Sequence, residues 1–331
     1  MSKSIFDIAL GHTKLTKAEL AQNLGTSVAW LSKWANDGNF PFEVEGALDK
    51  MLGLEGLCLD LVEAAGSIED ARKWQHLFAS LAEEACNSIE TGFDMPTLLD
   101  DDNDLGSSVI RLLNDMGVEI PQEFPNELLE PEGDLVSDDE IEAWTLHLDE
   151  HPIVLLIRKI FAANINLLSF YFAFVQPLID RKEHATRWAE LGISQYVFEE
   201  SLLDLAACNI GVPIEIAKNM GVFYHQTTVQ FLGWLRTIKR EAYAMGFAFE
   251  AEIMDLITND VETLGQSAMG HVKTLGVLTG HPDMYIDDMS YKINAIHRVM
   301  PLILQKLGIT EEDLESLHAD GGEEPSEKGG A

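Results

Sequence analysis

Lys17 to Ala35 reads KAELAQNLGTSVAWLSKWA, and this stretch decides how the amino-terminal part of the chain folds. Thr16 precedes it as an N-cap, and Glu19, three residues on, completes a capping box that opens a helix. Leu20 and Leu24 then lie one turn apart on a core face, and Ala21 is small where a second helix must cross closely. Gly25 stands where a tight turn between helices needs a residue at ease with positive φ. Thr26 or Ser27 can cap the second helix, which is expected to bury Leu31 and Trp34 against the first.

Working outward, residues 1–54 read as four short helices. The spacing of Leu20, Ala21, Leu24, Gly25, Leu31 and Trp34 resembles the XRE/Cro type of helix-turn-helix. The next stretch, GNFPFEVEGALDKMLGL from Gly38 to Leu54, is similar to the following helix of that family, with its proline (Pro41) and its Ala-x-x-x-x-Leu-Gly ending. The resemblance covers residues 1–54, about the first sixth of the chain, and departs from the family at Thr26, where an aliphatic residue is usual.

It implies that the second helix enters the major groove and that its first residues meet base edges. Carried over by position, the DNA-facing candidates are Ser27, Val28, Ala29, Ser32 and Lys33, with Lys17 on phosphate and Lys14 assisting. The set lacks an arginine for guanine and a first-turn glutamine or asparagine for adenine, and residues 1–54 hold five lysines and no arginine. Val28, Ala29 and Trp30 are expected as exposed apolar groups, suited to thymine methyls or to a protein contact. A homodimer would double so small a footprint.

The net charge of −34 is unevenly spread. Residues 1–54 hold 6 acids and 5 bases, whereas residues 55–150 hold 26 acids and only Arg72, Lys73 and Arg111 as bases, a net of −23. Such a segment repels a duplex unless it is held away from it, and it suits a basic protein partner. One use for it is as a decoy of nucleic acid, with the helix-turn-helix then serving as a protein-binding surface. Arg181, Lys182, Arg187, Arg236, Lys239 and Arg240 are expected to pair with the chain's own acids.

Helical periodicity dominates, so the class is all-α. The expected organisation is a helix-turn-helix domain over 1–54, an acidic helical segment and connector over 55–136, a helical bundle over 137–318 and a disordered tail over 319–331. Prolines 96, 121, 125 and 131 and the run Asp100 to Asp104 interrupt the connector, with SSVIRLLNDMG as an amphipathic helix inside it. Ser137 is the expected N-cap of the bundle's first helix, and Pro301 is expected to kink its last. Ile160 to Leu178 is long enough to span a bilayer, but Asn164, Asn166, Ser169 and Gln176 inside it favour a buried bundle helix.

No pattern for catalysis stands out, and the expectation is a protein that is not an enzyme and needs no cofactor or metal. His147 to His151 matches H-x-x-E-H, but Pro152 disfavours helix at the second histidine, and spacing identifies no third ligand. Counting from Asp100, an EF-hand would need Gly at Leu105 and Glu at Arg111. Cys58, Cys86 and Cys208 are odd in number and far apart, as in a reducing compartment. The start, MSKSIFDIALGHTK, has no long apolar core, so a cytoplasmic location with no membrane partner is expected.

Overall fold

A computed structural model describes residues 3–88, 104–131, 137–176, 195–213, 215–244 and 260–269, together with Ile303 and Lys306. Among these residues the fold is all-α, with no strand. The expected tail, the proline kink at Pro301 and most of the run Asp100 to Asp104 lie outside the described residues.

Local chemistry fixes the first four helices, α1 (Ile5–Thr13), α2 (Lys17–Asn23), α3 (Val28–Asp37) and α4 (Phe42–Leu52). The capping box at the start of α2 is formed: Glu19 N–H donates to Thr16 Oγ1 at 3.3 Å, and Thr16 N–H donates to Glu19 Oε2 at 2.8 Å. At its other end Gly25 adopts φ +65°. There Thr26 N–H donates to Ala21 C=O at 2.8 Å and Gly25 N–H to Gln22 C=O at 3.1 Å. This pair of bonds closes orphan carbonyls in the Schellman manner and turns the chain sharply. Ser27 then caps α3, accepting the Trp30 N–H.

Leu20, Ala21, Leu31 and Leu48 are buried where α1 to α4 converge. Trp34 departs from the expected packing. It is half-buried, and its ring stacks on Phe6 of α1, at 6.4 Å, because α1 covers the side of α3 on which it lies. Phe40 meets the same Phe6 ring edge-on at 5.4 Å.

At the junction that follows, Leu54, Leu57 and Leu59 are all buried, with Glu55 and Gly56 exposed between them. Next come α5 (Leu59–Ala65), α6 (Ile68–Ser88), α7 (Asp104–Met116), a 3-10 turn (Asn126–Leu128) and α8 (Asp138–Glu150). Ser137 caps α8 in a second capping box, with Glu140. The long helix α9 (Pro152–Phe170) passes into a π-helical turn, Tyr171–Val175. Beyond it lie α10 (Gln195–Cys208), α11 (Met220–Ala244) and α12 over 261–269.

Helices α6 and α9 form the centre. The former packs on α5, α7 and α9, and the latter on α6, α8 and α10. Trp74 and Phe78 of α6 and Phe161 of α9 are fully buried, and Phe124 meets the Trp74 ring edge-on at 5.0 Å. Each such side chain contributes about 1.5–3 kcal/mol by leaving water. The span Pro152–Val175 is long and apolar enough to cross a bilayer, but 67% of its apolar window is buried against the rest of the molecule. The buried residues, from Ile5 to Leu264, form one connected cluster.

Candidate nucleic-acid interface

Only Leu31 of α3 is fully buried. One turn further along the helix, Trp34 and Ala35 are half-buried, and the rest of the circumference faces solvent. That face carries Val28, Ala29, Ser32 and Lys33, with Ser27 at its start, and Val28 is 41% exposed. The structure therefore puts the five expected reading residues on one open surface. Lys17, exposed at the first position of α2, lies beside it: Lys17 and Ser32 line the same crevice, with Phe6, Leu20 and Leu31 among its walls. At about 30 Å³ this crevice has room for a single water and not for a small-molecule ligand. Lys14 is exposed at the C-cap of α1, in the left-handed conformation at φ 57°, and is not part of that crevice.

Two residues of this face carry no motif signal of their own. Asn36 lies one turn beyond Ser32 and two beyond Ala29, and its Nδ2 donates to the Ser32 C=O at 2.9 Å. Trp30 is 50% exposed, lies 5.8 Å from Trp34, and carries Lys33 Nζ 4.7 Å from its ring centroid. Helical periodicity counted from Ala29 and Ser32 would have found Asn36; the cation–π contact depends on rotamers that sequence does not set. Phe42, at the start of α4, is 81% exposed.

The surrounding charge is acidic but partly spoken for. Arg158 of α9 donates from Nε and Nη2 to Glu84 of α6, at 3.1 and 2.9 Å, and also reaches Asp149 of α8. Arg111 of α7 holds Asp204 of α10 at 3.0 Å, and Lys218 holds Glu119 at 3.1 Å. The two arginines tie helices together, and Lys218 joins the turn before α11 to the segment after α7, all through the protein's own acids. Of the cations expected to do so, Arg236 and Arg240 are exposed on α11; Arg181, Lys182, Arg187 and the Lys239 side chain lie outside the described residues.

The other motifs do not assemble a site. His147 is exposed, while burial holds the half-buried His151 below the usual imidazole range as it ends α8 and starts α9. Among the described residues no group of three His, Cys, Asp or Glu side chains is placed to hold a metal. Burial pushes the Cys208 thiol up to about 11, which keeps it protonated and unreactive at neutral pH. No family model, no curated protein and no solved structure matches the chain.

Proposed function

We propose that α1 to α4 form a DNA-binding head that presents α3 to the major groove, and that the remaining helices form a body for self-association or partner contact. One observation carries this reading. In a chain with 56 acidic residues, none occurs from Leu20 to Asn36, and that run comprises the end of α2, the turn and nearly all of α3. Glu19 and Asp37 bound this run, Lys17 lies just before it and Lys33 within it, so this face has the electrostatics a phosphate backbone tolerates, unlike residues 55–150 with their 26 acids and 3 bases. As a DNA-associated regulator, such a molecule needs no catalytic group.

The test is a salt titration of the full chain on random-sequence duplex DNA. Lys14, Lys17 and Lys33 are the cations this reading turns toward DNA, and each phosphate neutralised steepens the slope of log affinity against log salt by about 0.9. The expected slope is about −3 per head. The double substitution Lys17→Glu plus Lys33→Glu is expected to abolish binding, and binding that is unchanged in it overturns the proposal.

The exposed aromatic surface favours a second reading. Phe42 at 81% and Trp30 at 50% exposure suit a protein contact better than a phosphate contact. In that case the acidic helices engage a basic, nucleic-acid-binding protein as a decoy of its duplex, and α3 adds an apolar contact. That complex would dissociate in moderate salt, and a DNA-binding assay of this chain alone would be blank.

A further inference from the structure

The polar side chains on the exposed face of α3 are turned back onto their own helix. Ser27 Oγ accepts the Trp30 N–H at 3.3 Å, and Ser32 Oγ donates its proton to the Val28 C=O at 3.1 Å. Asn36 Nδ2 gives one of its two protons to the Ser32 C=O at 2.9 Å and keeps the other and Oδ1, but it stands at the far end of α3 from the first turn; Lys33 Nζ lies over the Trp30 ring. A hydroxyl that has given its only proton to the helix cannot donate to a base. Ser27 keeps an O–H to donate, but adenine, guanine and thymine all offer it an acceptor in the major groove, so it discriminates poorly. What α3 does offer outward at its first turn is apolar: the methyls of Val28, 41% exposed, and of Ala29.

Among the features that base pairs display in the major groove, the apolar one is the pyrimidine C5-methyl of thymine, which 5-methylcytosine also carries. We infer that the head selects duplexes by pyrimidine C5-methyl groups, met by Val28 and Ala29, rather than by the donor and acceptor pattern of the base edges. This inference rests on the DNA-binding reading above. Removing one methyl from water is worth about a fourfold change in affinity, and two such contacts compound to roughly fifteenfold.

The experiment uses the full chain and four duplexes of equal length at low salt: alternating adenine–thymine, the same with deoxyuridine for thymine, alternating guanine–cytosine, and the same with 5-methylcytosine. Uridine keeps every hydrogen-bonding group of thymine and lacks only the methyl. The methylated member of each pair is expected to bind about four- to fifteenfold tighter than its partner. A preference in one pair alone supports the inference and names thymine or 5-methylcytosine as the source. The exposed substitution Val28→Ser is expected to shrink the ratio of methylated to unmethylated affinity; a ratio that keeps its full size in this variant overturns the assignment. Equal binding within both pairs overturns methyl readout but leaves the DNA-binding reading standing. Failure to bind any of the four duplexes overturns the DNA-binding reading itself, and the inference with it.

Discussion

Gly25 and Gly117 both adopt positive φ, at +65° and +75°, but their surroundings differ. A Cβ at Gly25 would meet nothing within 4 Å, whereas one at Gly117 would come within 2.8 Å of the Asn219 backbone nitrogen. That nitrogen donates to the Met116 C=O at 3.0 Å, so the close approach fastens the start of α11 to the end of α7. Gly25→Ala should therefore cost only the left-handed backbone term, about 1 kcal/mol, and Gly117→Ala about 3 kcal/mol because the contact must also open. Chemical denaturation of both variants checks the ranking; equal losses would mean that the α7–α11 contact contributes nothing. The turn glycine at 25 was legible in the sequence because its requirement is local. The role of Gly117 was not, because it depends on a segment a hundred residues away.

At the scale of the element, α2 and α8 begin alike. Backbone and hydroxyl donation from Thr16 holds the Glu19 carboxyl below the usual carboxylate range, and Ser137 does the same for Glu140. Thr16→Ala is expected to cost about 1 kcal/mol of stability. It should also raise the Glu19 titration, followed by NMR, part of the way toward the ordinary carboxylate range, because the backbone N–H at position 16 still donates to the carboxylate; a Glu19 titration that does not move would show that the Thr16 hydroxyl is not bonded to it in solution. Both caps could be read from sequence, since a hydroxyl followed three residues later by glutamate closes on itself whatever lies beyond. The packing of Trp34 could not. Its partner, Phe6, belongs to α1, and nothing in the spacing from Lys17 to Ala35 distinguishes that side of α3 from the side facing α2.

Across the whole molecule, the way the head joins the body was the least legible feature. Composition alone separates residues 1–54 from the acidic stretch that follows, yet α1 packs on α5 and Leu54, Leu57 and Leu59 are buried together. At this junction burial pushes the Glu63 carboxyl above its usual range and Asp60 pushes it further, against a hydrogen bond from the Ile5 backbone N–H. A carboxyl whose folded value is raised supports folding in acid, and that support is lost as pH rises through the raised value. Glu63→Gln should therefore melt higher than the parent at neutral pH and at the same temperature in acid below the ordinary carboxylate range. A variant less stable at neutral pH would mean that the ionised carboxylate is needed to hold α1 on α5.

The central claim, that α3 faces DNA, is tested most directly by lysine footprinting of the full chain. An amine-reactive reagent is applied with and without random-sequence duplex, and each lysine is followed by mass spectrometry. Lys17, Lys33 and Lys50 are all exposed, as are Lys159 and Lys218 in the body. The account expects duplex to protect Lys17 and Lys33 strongly and Lys14 partly, while Lys50, Lys159 and Lys218 keep reacting. Protection confined to Lys159 or Lys218, or no protection at all at low salt, would contradict it.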